Sequence, residues 1–485
     1  MLERLLKDTL IYSINTIISR GISILLLPLY TRLFSPADYG SMDMISIFMN
    51  LVNLTIALEV SQGIARYLAD AKDLFERKMY SSTALWFTVA MYSLFLVPSM
   101  VFTSQLSNAV LGNAGQKHIL AVAILFNLAY GILYLLQNQF RWELKPFLYS
   151  MINFITMIVS LTCTIILIAI YKIGIIGVFI GAGVGNIIGI IVSFYFIRGS
   201  FGMRFSWAKL NKMLAFSIPL VPSSIGVFVA LYIDRFAIKQ LMSMADVGIY
   251  GIGYRMASIV TLLITGLQVA FMPLFYANYQ AKDTPAKIAA VFRVFVLFAL
   301  CIFIVLSVFA KEILRIFTTP GYYGASLIIP FLIPAVLLSG MYIFAPGLGL
   351  AKKTKHIALI NISIAIANTS LNFILIPFIG ISGAAMATLF SNLGGFALYI
   401  ILGNKYYRID FEWRIIWLAI VITIVIVALG GNISFLSNSL HYLLKAILVI
   451  LNICIIGNLL IKRKELNQVA FLVRSKINIP AKGIT

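Results

Sequence analysis

Apolar runs of about 20 residues succeed one another along nearly the whole of this sequence. Each is long enough to cross the hydrocarbon core of a bilayer as a helix. Of the 485 residues, 61% are apolar and only 11% are charged. A soluble protein of this length could not cover itself with so little polar surface, so the chain reads as an all-α polytopic membrane protein. The first run, near Thr9 to Tyr30, is too long for a signal-peptide core and lacks an Ala-x-Ala site, so it is expected to remain as helix 1.

The pattern predicts about fourteen spans. Six lie near 9–31, 36–62, 81–103, 118–138, 148–170 and 174–197. Six more lie near 213–234, 244–272, 288–310, 325–346, 356–378 and 381–402, and two follow near 414–430 and 441–461. With the N-terminus in the cytoplasm, the inner segments hold 27 of the 37 Lys and Arg and the outer segments hold eight. That asymmetry supports an even number of spans with both termini cytoplasmic. It also accounts for the net charge of +21: the cations face an anionic inner leaflet of membrane lipids, and no nucleic acid is needed to explain them.

Two phrases occur twice. Leu33-Phe34-Ser35-Pro36-Ala37-Asp38-Tyr39-Gly40 returns as Leu241-Met242-Ser243-Met244-Ala245-Asp246-Val247-Gly248, at an offset of 208 residues. Each copy has a Ser N-cap with Asp three residues on, the acidic form of a capping box. Gly174-Ile175-Ile176-Gly177 returns as Gly380-Ile381-Ser382-Gly383 at an offset of 206. Downstream, Gly177, Gly181, Gly185 and Gly189 match Gly383, Ala387, Ser391 and Gly395, and both rows read as small-residue packing faces. The chain therefore divides into a six-helix lobe (1–197), a cytoplasmic connector (198–212), a second six-helix lobe (213–403), two extra helices (404–461) and a basic cytoplasmic tail (462–485). Six helices per lobe make the lobes parallel repeats, and a central cavity is expected between such repeats.

The informative residues are the polar ones kept within spans, since an Arg at mid-helix costs roughly 2.5–3.5 kcal/mol to insert. Arg20 lies near the middle of helix 1, and Arg255 lies about 16 Å into helix 8 at 1.5 Å per residue. A cavity with fixed guanidiniums suits an anion, phosphate above all. The acids within reach are Asp43 and Glu59 on helix 2, and Asp234, which the reading places beside Arg235 at the end of helix 7. Tyr12, Tyr30, Tyr232, Tyr250 and Tyr254 could stack on sugar rings, although Tyr is also common at membrane interfaces. Asn15, Asn50, Asn53 and Gln62 add amides to helices 1 and 2.

Chemistry is not indicated. His118, His356 and His441 are scattered, and Cys163, Cys301 and Cys454 lie apart within apolar runs. Neither a disulfide framework nor a metal site is expected. No P-loop, HExxH or GxSxG motif occurs, so no catalytic residues and no cofactor are expected.

Helix 1 with Arg20, followed by Leu29-Tyr30-Thr31-Arg32-Leu33-Phe34-Ser35-Pro36-Ala37-Asp38-Tyr39-Gly40, resembles the opening of polysaccharide-biosynthesis flippases. So does Tyr232-Ile233-Asp234-Arg235-Phe236 followed by Ala245-Asp246-Val247-Gly248-Ile249-Tyr250. These are the O-antigen and capsule repeat-unit transporters of the multidrug/oligosaccharidyl-lipid/polysaccharide superfamily. The resemblance implies a non-enzymatic transporter in the bacterial cytoplasmic (inner) membrane. Its cargo would be an undecaprenyl-diphosphate-linked oligosaccharide, moved from inner to outer leaflet by alternating access. The resemblance also implies glycan polymerase and chain-length regulator proteins as partners. Arg20, Arg255, Asn50 and Tyr254 are then the expected substrate-binding residues, and Glu59, Asp43 and Asp234 the coupling candidates. Lipid II flippases and cation-coupled drug exporters of the same superfamily are the alternatives. The drug exporters tend to carry an acid in helix 1, which this chain lacks between Thr9 and Tyr30.

Overall fold

The computed structural model describes residues 18, 21–71, 73–432 and 438–461. Among them every regular element is a helix. Eleven helices are long and apolar enough to cross a membrane, or thirteen spans if each of two bent pairs counts as one. The chain is thus a multi-pass, all-α membrane protein. The expected count of about fourteen is not confirmed. The first expected span, 9–31, falls largely outside the described residues, and Gly21–Leu33 is its described end. The chain forms two compact units. One comprises Met1–Met256, Arg315–Ile328 and Asn361–Ser391; the other comprises Ala257–Leu314, Ile329–Ile360 and Asn392–Thr485.

In the first unit, α1 (Pro36–Thr55) opens on the expected capping box. Asp38 N donates to Ser35 Oγ at 3.2 Å, and Ser35 N donates back to Asp38 Oδ2 at 3.2 Å. In the second copy Asp246 N donates to Ser243 Oγ at 3.2 Å, and Ser243 Oγ donates to Asp246 Oδ2 at 2.6 Å. The two copies also meet. A Cβ placed on Gly40 would lie 2.0 Å from the Met244 carbonyl oxygen, and one on Gly248 would lie 2.0 Å from that of Pro36. Only residues without a side chain let two backbones come so near.

The sequence reads helix 2 as continuous over 36–62, but the structure breaks it. α1 ends at Thr55 and α2 (Val60–Asp70) leaves at 42°. Leu58 and Glu59 have φ of 48° and 52°. Non-glycine residues rarely adopt that left-handed region, at a cost of order 1–3 kcal/mol each.

Three further long helices are α3 (Leu74–Val101), α4 (Lys117–Trp142) and α5 (Pro146–Ile165). α6 (Ile175–Ile197) lays its glycine row on α5. Cβ atoms added at Gly181, Gly185 and Gly189 would fall 2.2, 1.9 and 2.4 Å from the hydroxyls of Thr164, Ser160 and Thr156. In the second copy a Cβ added at Gly383 would fall 2.6 Å from the backbone of Leu375. The expected connector is partly helical. Trp207–Ser217 starts at an N-cap, with Lys209 N donating to Ser206 Oγ at 3.4 Å, and runs on into α7 (Val221–Leu241). α8 (Met244–Ala257) follows.

The second unit holds α9 (Thr284–Val308), α10 (Ala310–Phe317) as far as Leu314, α11 (Trp413–Asn432) and α12 (Asn438–Leu460). Ile304 and Val308 of α9 form a buried cluster with Ile426 of α11 and Val449 of α12. Inside the α11–α12 pair, Asn452 Nδ2 donates to Thr423 Oγ1 at 3.3 Å. Glu312 on α10 accepts from Lys445 Nζ at 2.7 Å and lies 3.0 Å from His441 Nε2. Lys445, read from the sequence as an outer-side charge at a helix start, is 1% exposed.

Burial pushes the Glu312 carboxyl up, but hydrogen bonds from Lys445 and His441 outweigh it and hold the group below its ordinary 4.5. A carboxylate held low in the fold contributes stability that is full above its ordinary value and is lost as pH falls through the lowered one. The solubilised protein is therefore expected to melt earlier as pH drops below about 4.5, and Glu312→Gln flattens that slope. Glu312→Ala is expected to cost about 3–5 kcal/mol, because it strands Lys445 in the interior.

Candidate functional site

Two polar features stand side by side in the first unit. The first is a cavity of about 480 Å³. α1 contributes Asn50 and Asn53, three residues apart and so on one face. The bend between α1 and α2 contributes Glu59. α3 contributes Thr88 and Tyr92, α4 contributes Tyr130 and Tyr134, and α7 contributes Ser224 and Tyr232.

Local chemistry fixes these groups. Tyr92 packs its ring on the α4 backbone at Gly131, where a Cβ would meet the ring at 2.3 Å. From there its hydroxyl donates to Asn53 Oδ1 at 2.7 Å. Ser224 Oγ donates to Glu59 Oε1 at 2.8 Å, across the kink that turns Glu59 toward α7. Tyr130 and Tyr134, one turn apart, stack at 6.4 Å between centroids and stay 39% and 44% exposed. The walls thus present amides, hydroxyls, phenol faces and one carboxylate among apolar side chains such as Leu54, Val60, Val227 and Leu231. Such a surface offers hydrogen bonds to hydroxyls and apolar faces to ring carbons.

The second feature is a buried charge cluster. Arg235 Nη1 donates to both oxygens of Asp234, at 2.9 and 3.0 Å, and its Nε lies 3.8 Å from Asp43 Oδ2. Tyr250 Oη donates to Asp234 Oδ2 at 2.5 Å. The Arg235 guanidinium is caged by the rings of Tyr254, Tyr250 and Tyr232 at 4.1, 5.1 and 5.7 Å. Arg255 lies over the Tyr39 ring at 5.5 Å, with Asp43 in its field. Two carboxylates and two guanidiniums therefore share one site, which offsets the cost of burying Asp234 and Arg235. Tyr232 belongs to both features, since it lines the cavity and covers Arg235.

Of the residues singled out from sequence, Arg255, Tyr254, Asp43 and Asp234 come together in the cluster, and Asn50 and Glu59 line the cavity. Arg20, Tyr12 and Asn15 lie outside the described residues. The Asp234–Arg235 pair is not terminal: α7 runs on to Leu241, and both residues are buried, 2% and 3% exposed. Arg235 is not among the binding candidates expected from sequence, because helix 7 is expected to end at 234. The shared spacing of Tyr232 with Arg235, and of Tyr250 with Tyr254, carried the signal. Thr88, Tyr92, Tyr130, Tyr134 and Ser224 had none beyond lying on spans. Among the described residues no group of three His, Cys, Asp or Glu could hold a metal ion.

Comparison with known proteins adds the following. A family model described as polysaccharide biosynthesis protein matches residues 29–327. The Lsg locus protein 1 of Haemophilus influenzae is 23% identical over 289 residues, which is 58% of this chain and 68% of that protein. The solved structure of the lipid II flippase MurJ, in an inward closed conformation, covers 92% of this chain and 98% of its own, with a TM-score of 0.64 and 18% identity. An inward-facing multidrug resistance MATE family transporter of the MOP superfamily covers 81% of this chain and 94% of its own, with a TM-score of 0.64 and 12% identity. At these identities the two likenesses establish the fold alone.

Proposed function

The chain belongs to the polysaccharide biosynthesis protein family, and from that membership we propose that it is a flippase for undecaprenyl-diphosphate-linked oligosaccharide repeat units. The observation that carries the reading is the cavity of polar and apolar walls abutting a buried Arg–Tyr cluster through a shared residue, Tyr232. In this scheme Arg255, with Arg20, holds the diphosphate, because a guanidinium binds phosphate in a fork and stays charged. Asn50 and the tyrosines hold sugars, while the prenyl tail stays in lipid. The six-helix lobes 1–197 and 213–403 then rock between inner and outer openings in the cytoplasmic membrane.

The membrane potential helps such a step. Moving one charge across 100 mV is worth roughly 2.3 kcal/mol, and an anion leaving a negative interior moves downhill. Of the coupling candidates, Asp234 already commits both oxygens to Arg235 and Tyr250. Asp43 and Glu59 are the better placed for a coupling ion.

Removal of the gene tests the proposal. Cells lacking the protein are expected to lose surface polysaccharide and to accumulate the lipid-linked repeat unit. The glycan should then be accessible to periodate in inverted membrane vesicles and protected in right-side-out ones. Full surface polysaccharide in the deletion strain, or a repeat unit already exposed on the outer face, would overturn it.

A further inference from the structure

The cavity also bears on which sugars ride in it. Among the described residues its wall carries one charged group, Glu59. That carboxylate accepts a hydrogen bond from Ser224 Oγ at 2.8 Å, and the left-handed backbone at φ 52° sets where its side chain leaves the helix bend. The same cavity is lined by the stacked rings of Tyr130 and Tyr134 and by Asn50. Phenol faces attract cations and repel anions through their quadrupole. Both elements act in one direction.

We infer that this cavity seats the glycan and selects its charge: neutral and amino-bearing sugars are accepted, and uronic or other acidic sugars are excluded, with Glu59 as the specificity-determining residue. The inference rests on the flippase reading and names the class of cargo. An acidic sugar here would bring a second carboxylate beside Glu59 in a site walled by protein, where like charges repel more strongly than in bulk water. An ammonium would instead gain both Glu59 and the tyrosine faces.

The test uses the full-length protein in detergent with three tetrasaccharides of one length: deacetylated chitotetraose, its N-acetylated form and tetragalacturonate. Binding is read from the thermal shift against saccharide concentration. The expected order is deacetylated at least as tight as N-acetylated, and tetragalacturonate weaker by roughly tenfold or more. Glu59→Gln is expected to narrow that gap mainly by strengthening tetragalacturonate. Tetragalacturonate binding as tightly as the N-acetylated form to the unaltered protein would overturn the inference without use of any variant. So would an unchanged gap in Glu59→Gln, or an equal loss of all three, which would make Glu59 part of the seat and not the selector. The vesicle experiment above is independent of these results. A repeat unit that is flipped by a protein indifferent to saccharide charge sinks the selectivity alone.

Discussion

Cells in which Arg255 is replaced by alanine assemble little or no surface polysaccharide, although the protein reaches the membrane in normal amounts. That outcome follows from where the residue stands. It lies eleven positions beyond Met244, the first residue of α8, so roughly 16 Å along the helix. It is stacked over Tyr39 and faces Asp43. A charge at such depth is kept against an insertion cost of roughly 2.5–3.5 kcal/mol. Loss of one charge-assisted hydrogen bond to a diphosphate, worth about 1.5–3 kcal/mol, lowers transport by roughly ten- to a hundredfold. Arg255→Lys keeps the charge without the fork and should fall between. The measurement is surface glycan and membrane protein quantified on the same cells. Restored glycan in the double variant Arg255→Ala with Asp43→Ala would reduce Arg255 to the counter-charge of Asp43 and remove it from cargo binding.

A methyl group at Gly40 or Gly248 is expected to destabilise the protein by about 3 kcal/mol or more, at the upper end of what overpacking costs. The built Cβ atoms sit 2.0 Å from carbonyl oxygens of the facing helix. Those oxygens belong to backbone in a capped first turn, which cannot rotate aside as a long side chain can. The helices must separate, and each capping box that anchors its own helix start resists that. Gly40→Ala and Gly248→Ala should each lower the melting temperature of the solubilised protein, and the double variant should cost less than their sum, because both methyls force one separation. Single variants that melt like the unaltered protein would remove the close crossing from the account.

How much of this could be read from the sequence depended on the kind of signal. The paired phrases were legible because capping and close approach need particular residues at particular places, and Ser35, Asp38, Gly40 and their copies are those residues. Gly174 and Gly380 were legible for the same reason, since both adopt positive φ, 68° and 61°. The kink at Leu58 and Glu59 was not. Nothing between Thr55 and Val60 is Gly or Pro, and the left-handed pair is imposed by tertiary surroundings. On a straight helix Glu59 would be an acid far from any partner; in the structure it accepts a hydrogen bond from Ser224 of α7. Asp43, Asp234 and Arg255 were each noticed by their cost, yet their assembly around Arg235 needed three helices to be placed in space. Charge counting tallies Lys445 as an outer-side cation at a helix start and gives no sign that it is a buried partner of Glu312.

That last contact bears on how the protein could be shortened. α11 and α12 lie beyond the two lobes expected from the sequence and look, on paper, like an appendage. Yet α12 supplies the partners of Glu312, and both helices shield Ile304 and Val308 of α9. A trimmed chain ending near residue 403 would leave an orphaned acid and a bare greasy stripe on α9. The terminal pair is thus mortared into the wall it leans on, and a relative built from the twelve-helix plan alone would need different masonry at that spot.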